Sequence, residues 1–159
     1  MNAKNITFAK NLVKGKIAET IFAQMLREAK EFTVLEFGYE KVIPEIIQQG
    51  YKEDNVMIET LKTAPDFAVI NQVTKEVRLI EVKYLKYFNA ERILKYAERM
   101  SQSWNPSYLF VATLNGFYFN EINKVISENG NMDKLENSQI TDEIQSQYLQ
   151  ILKDFEANN

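Results

Sequence analysis

The sequence predicts a single α/β domain in which a mixed β-sheet carries helices on both sides. Three observations predict it. Apolar residues recur at spacings of three and four in three separate segments, as amphipathic helices require. Two strand-like runs, "DFAVIN" and "VRLIEVKYL", are joined by the polar turn "QVTKE" and read as an antiparallel hairpin. The run "SYLFVATL" is apolar almost throughout, the pattern of a strand buried on both faces. In chain order the segments run helix, strand, hairpin, helix, strand, which describes a mixed sheet between helices.

The first helix is expected from about Phe8 to Ala29. Leu12, Ala18, Phe22, Met25, Leu26 and Ala29 form its apolar stripe, Ile17 and Ile21 widen it, and Lys14, Lys16 and Arg27 lie off it. Gly15 is a weak point that either dents the helix or lets something approach closely. "FTVLEFGYE", residues 32–40, is β-branched and aromatic and reads as a strand. Within 41–63, "PEIIQQG" reads as a short helix with Pro44 near its start and Gly50 at its end, whereas "NVMIETLK" fits helix or strand. After the hairpin, "NAERILKYAERMSQSW" places Ile93, Leu94, Ala97 and Met100 at helical spacing, with Asn89 as N-cap. "GFYFNEI" adds a strand after Asn115-Gly116, and "SENGNMDKLENSQ" is a loop. A last helix, "TDEIQSQYLQILKDF", should turn Ile144, Tyr148, Ile151, Leu152 and Phe155 inward. The chain of 159 residues is thus one domain, 1–159, with a core of about 8–119 and a C-terminal helical extension of about 120–159.

Composition narrows the chemistry. Hydrophobic residues at 45% and charged residues at 26% suit a folded globular chain. No stretch approaches the roughly 18 apolar residues of a membrane span, and the opening lacks a signal-peptide run, so no membrane and a cytoplasmic location are expected. There is no cysteine, hence no disulfide, zinc knuckle or thiol nucleophile. There is also no histidine, the usual general base near neutral pH and the commonest transition-metal ligand. Any catalysis must rest on carboxylates, lysine, hydroxyls or a hard oxygen-bound cation. The net charge of −3 conceals segregation: residues 1–30 and 75–119 carry +4 and +3, while 31–74 and 120–159 carry −5 each.

Asp66, Glu81 and Lys83 are the residues a plain hairpin would not ask for. Alternation puts Val77, Leu79, Glu81 and Lys83 on one face, in line with apolar residues that should be core, and a short turn brings Asp66 beside Glu81 and Lys83. Two like charges that close repel, and a bound Mg²⁺ relieves the repulsion by taking oxygens from both. E-x-K alone fits a cross-strand ion pair on a wet face equally well. The first helix adds a further acid, Glu19 in "GKIAE", at the margin of its apolar stripe. It is either a solvated border residue or a third acid aimed at the same place.

Pro65-Asp66 opening one strand, Glu81-Val82-Lys83 ending its partner, a helix directly after and Glu19 on the helix before together resemble the PD-(D/E)xK nuclease superfamily. The resemblance spans residues 12–119 and the order α-β-β-β-α-β. It implies a restriction-endonuclease-like core and a metal-dependent endonuclease that hydrolyses phosphodiester bonds, DNA being the favoured substrate. It further implies Mg²⁺, for which Mn²⁺ can substitute, held by Asp66, Glu81, the Val82 carbonyl and Glu19. Lys83 would orient the attacking water, act as its base or, the favoured role beside acids, stabilise transition-state charge. The helices that flank such a site carry Lys14, Lys16, Lys86, Arg92, Lys95 and Arg99, an expected phosphate track, with the acidic blocks elsewhere. Tyr84, Tyr87, Phe88 and Tyr96 are available for base stacking or, more simply, for packing. Gln102 and Tyr108 lack the spacing of an exonuclease signature, so no subfamily is selected. The expected partners are nucleic acid and either a second copy, as a homodimer, or a larger DNA-processing complex. The alternative is a nuclease-fold module that binds nucleic acid or a protein without cutting.

Overall fold

The computed structural model describes residues 3–38, 43–48 and 56–158. Helix α1 (Ala3–Glu28) leads into strand β1 (Phe32–Glu36), short helices α2 (Ile43–Gln48) and α3 (Val56–Lys62), and the hairpin β2 (Phe67–Asn71) and β3 (Val77–Tyr84). Helix α4 (Ala90–Ser101) then crosses over to β4 (Tyr108–Thr113), and β5 (Gly116–Glu121), α5 (Ile122–Ser127) and α6 (Asp142–Ala157) complete the chain. The sheet order is β1-β2-β3-β4-β5, antiparallel except for the β3–β4 pair, so it is mixed and flanked by helices as expected. The parallel pair follows from α4, because a parallel neighbour needs a crossover longer than a turn.

The sheet divides two cores. On one face Ile80 and Val82 of β3, Phe67 and Val69 of β2 and Phe110 of β4 pack beneath Ala18, Phe22, Met25 and Leu26 of α1 and Leu152 of α6. Phe22 stands at the centre, its ring 5.2 Å from Phe67 and 4.9 Å from Phe110. On the other face Leu109 and Val111 lie beneath Ile93, Ala97 and Met100 of α4, with Ile122 and Val125 of α5 alongside. The Asn89 side chain caps α4 by accepting from the Arg92 N–H at 3.1 Å. Gly130 lets α5 close on α4: its φ is +91°, and a Cβ there would stand 1.9 Å from the Ala90 carbonyl oxygen.

Several expectations change. Helix α1 begins at Ala3, and Leu12, 57% exposed, is not core, because the first turns of the helix overhang the sheet. On α6, Ile151 is 48% exposed while Leu152 is buried, so the inward stripe is narrower than its spacing suggests. "NVMIETLK" is helical from Val56. The strand in "GFYFNEI" stops at Glu121, whose side chain accepts from the Asn123 N–H and starts α5, a helix the sequence reading did not separate. Gly50 and residues 39–42 lie outside the described residues. The face of β3 that carries Glu81 is not lined with core residues at Val77 and Leu79: Val77 is 61% exposed and Leu79 half-buried. Its apolar neighbours are instead Leu109 and Val111 across the parallel pair, where the cover of α4 begins.

Candidate functional site

The hairpin register decides where the acids meet. Phe67 pairs with Ile80, so Asp66, one residue before β2, arrives opposite Glu81. Its backbone is fixed from the other side: the carbonyl of Asp66 accepts from the N–H groups of Phe37 and Gly38 at 2.9 and 3.2 Å. Its side chain is fixed by β3, where the Val82 N–H donates to Oδ2 at 2.8 Å. This bond uses the N–H of Val82 and leaves its carbonyl, the expected metal ligand, uninvolved with Asp66. Glu19 comes from α1 one turn after Gly15, on the part of the helix that lies over β3, and reaches the same carboxyl.

The three carboxyls form a chain with Asp66 in the middle. Burial, followed by the hydrogen bond and charge of Glu81, pushes Asp66 up to about 8, against the partial relief of the Val82 N–H and Glu19. Burial, followed by the charge and hydrogen bond of Asp66, pushes Glu19 up to about 7, and Lys16 offsets part of this. Asp66 and Glu19 thus favour their protonated forms toward neutral pH, because burial and a neighbouring carboxyl both penalise the charged form. Among the described residues no three acidic side chains already close around a point as a finished cation site. The donor set is nonetheless all carboxylate oxygen, the hard chemistry suited to Mg²⁺ or Mn²⁺, and burial followed by mutual repulsion, the causes of these raised pKa values, are what the charge of a divalent cation would offset.

These acids open into a cleft of about 890 Å³. Asn11, Lys14 and Gly15 of α1 form one wall, and Arg92, Tyr96, Arg99 and Met100 of α4 another. The end of α3 contributes Lys62 and Thr63, and β3 contributes Glu81 to Tyr84 as floor, continued by Leu85 and Lys86. Lys83 Nζ lies 4.9 Å from the centre of the Tyr96 ring, which holds the ammonium against the α4 wall. Next to Gly15 nothing stands within 4 Å of where a Cβ would be, so this glycine neither dents α1 nor admits a packed neighbour but leaves cleft space open.

The structure thus gathers Glu19, Asp66, Glu81 and Lys83 in one place, with Lys86, Arg92 and Arg99 around them. The other three cations of the expected track are placed differently. Lys95 is not on the cleft wall, and its ammonium lies 4.0 Å from Glu91 on the exposed side of α4. Lys16 points to Glu19 at 3.2 Å and serves as counter-ion to a site acid. Lys14 is on the wall but pairs with Glu156 of α6 at 3.1 Å, so an acidic block is not elsewhere: it reaches the cleft rim. Of the aromatics, Phe88 packs on Tyr118 at 4.6 Å, Tyr84 donates its hydroxyl proton to Glu156, and Tyr87 is exposed. Tyr108 stacks on Phe119 with the Arg78 guanidinium 4.6 Å from its ring, and it does not line the cleft.

Lys62 and Thr63 were missed by sequence reasoning, since no spacing ties α3 to the hairpin. The sole tryptophan supplies the tie: Trp104 Nε1 donates to the Thr60 carbonyl at 2.9 Å while Phe37 meets its ring edge-on at 5.5 Å. No protein-family model and no curated protein matches this chain. What the cleft can do is therefore argued from its own residues.

Proposed function

We propose that the chain is a metal-dependent nuclease of the PD-(D/E)xK kind, with a restriction-endonuclease-like core, acting on nucleic acid and by preference on DNA. The observation that carries the reading is the meeting of Glu19, Asp66, Glu81 and Lys83 in one open cleft whose rim holds Lys86, Arg92 and Arg99. Carboxylates alone would repel a phosphodiester, and lysines and arginines alone would only bind it. The two together are what hydrolysis of an anionic ester requires.

Asp66 and Glu81 are the residues that would hold a Mg²⁺ or Mn²⁺ ion, with Glu19 joining directly or through water. Bound there, the ion would supply Lewis acidity to a phosphoryl oxygen and charge compensation to the acids. The chain's own residues do the rest. Arg92 and Arg99 on one wall and Lys86 at the floor hold the backbone phosphates, and Tyr96 keeps the Lys83 ammonium at that same wall. As water oxygen bonds to phosphorus and the bond to the leaving sugar oxygen breaks, Lys83 stabilises the charge growing on the non-bridging oxygens. The proton lost by water passes to solvent or a neighbouring carboxylate, and the leaving oxygen takes its proton from solvent water.

A second reading, a module that binds nucleic acid without cutting, is favoured by one observation: among the described residues the acids do not close around a point as a finished cation site. Incubation of a labelled panel of linear duplex, four-way junction, single-stranded DNA and RNA with Mg²⁺, Mn²⁺ or EDTA separates the two. Metal-dependent cutting lost in Asp66→Ala is expected. Binding without any cutting would overturn the nuclease in favour of the module.

A further inference from the structure

The last turn of α6 brings a carboxylate to a place where an acid is disfavoured. A helix C-terminus carries partial negative charge, and this one has no basic residue in its final turn, yet Glu156 sits there, 12% exposed, at the rim of the cleft. What holds it is a set of donors from other elements. Lys14 Nζ meets Oε1 at 3.1 Å, the Tyr84 hydroxyl donates to Oε2, and the charge of Lys86 adds to both. Together they hold the Glu156 carboxyl below the usual carboxylate range, the Tyr84 hydrogen bond contributing most. A hydroxyl and an ammonium on two separate oxygens of one anion, with a second ammonium close by, is also the donor set that two non-bridging oxygens of a phosphodiester would take. Tyr84 stands three residues beyond Glu81, about 10 Å along β3 and on the opposite, α1-facing side of the strand, where it lines the cleft together with Lys14.

We infer that Lys14, Tyr84 and Lys86 form a second backbone-phosphate subsite of the cleft, and that Glu156 fills it in the free protein as an internal substitute for the phosphate. This rests on the nucleic-acid reading above. Nucleic acid would enter by displacing Glu156, and the strain of an acid at a helix C-terminus favours its release once the donors have another anion. The sequence reading of Lys14 as a phosphate contact would then hold for the loaded protein, and the ion pair of the free protein is the competing state.

The test is fluorescence anisotropy with labelled single-stranded and duplex DNA, in EDTA so that nothing is cut, at several salt concentrations. Glu156→Gln should bind about fivefold to tenfold tighter than the unaltered chain, because the donors no longer have a competing internal anion to give up. Glu156→Asp keeps the charge but shortens the reach, and it should show part of the same gain. Glu143→Gln removes an equivalent charge from the exposed first turn of the same helix and should change affinity less than about twofold. Adding Lys14→Ala to Glu156→Gln should cancel the gain. Thermal melting of each variant verifies that it is folded. Equal affinity of Glu156→Gln and Glu143→Gln, with the unaltered chain still binding, would overturn the substitute and leave Glu156 as a tie for α6. Failure of every protein to bind either probe would overturn the nucleic-acid reading and this inference together.

Discussion

Asp66 carries the most consequences of any single side chain. Its pKa is raised from the usual 3.8 to about 8, so the folded protein holds a proton there across a range in which the unfolded chain has lost it. The sign follows from linkage. A carboxyl whose folded pKa is raised contributes stability fully present below about 4 and lost as pH climbs through about 8, and Glu19, raised to about 7, acts in the same direction. The metal-free protein should therefore lose melting temperature between about pH 4 and about pH 8, and Asp66→Asn should flatten that slope while raising stability at the alkaline end. A divalent cation competes with those protons, so millimolar Mg²⁺ or Mn²⁺ should stabilise the unaltered chain more at pH 8.5 than at pH 5.5, and Asp66→Asn hardly at all. Melts with no pH slope, or an equal metal response in Asp66→Asn, would sink this account of the cluster.

Lys83 separates binding from chemistry. It lies on the cleft floor beside Glu81, and its position over Tyr96 restricts where its charge can go. Lys83→Ala should lower the cleavage rate about 10²- to 10³-fold, the usual loss for one preorganised charge donor, with affinity for uncut DNA changed severalfold at most. Rates and affinities measured on one duplex decide it, and unchanged cleavage refutes the role.

At the scale of elements, two glycines make opposite predictions. Gly15 is helical and nothing lies within 4 Å of its missing Cβ, so Gly15→Ala should add about 0.5–1 kcal/mol by helix propensity alone. Because that space belongs to the cleft, Gly15→Trp should leave folding intact and weaken DNA binding. Gly130 has φ at +91° and the Ala90 carbonyl where a Cβ would be, so Gly130→Ala should cost about 1–3 kcal/mol and loosen α5 from α4. Denaturant melts of both variants give the two signs.

The same scale shows what the sequence could reveal. The hairpin, α4, its Asn89 cap and the buried strand β4 were legible because each depends on local pattern: alternation, helical spacing, a side-chain cap. The meeting of Asp66 with Glu81 was legible too, since a short turn fixes register. Periodicity could not show where a helix loses its partner, and this is why Leu12 and Ile151 were misplaced. Nor could it show contacts between elements far apart in the chain. Glu156 at Lys14 and Tyr84, Thr60 beneath Trp104, and with it Lys62 in the cleft wall depend on packing of whole helices, for which no short spacing stands as a signal.

At the scale of the whole molecule, a chain of net charge −3 is expected to attract nucleic acid only through a local field, and the arrangement of charge provides one. Lys86, Arg92 and Arg99 line the cleft, whereas Asp142 and Glu143 lie in the exposed first turn of α6 and Lys95 stands off the cleft wall beside Glu91. Counterion release converts this into slopes: three phosphates neutralised by Lys86, Arg92 and Arg99 give about −2.7 in log affinity against log salt on duplex DNA. Arg99→Ala should bring that slope to about −1.8, while Lys95→Ala should leave it unchanged although it removes the same formal charge. The contrast matters because the two residues are one helical turn apart on α4, and only position relative to the cleft distinguishes them. Titrations of both variants over a range of salt discriminate a track fixed by the cleft from diffuse attraction to a basic segment. Equal slopes in Arg99→Ala and Lys95→Ala would mean that the helix, not the cleft, is what nucleic acid meets.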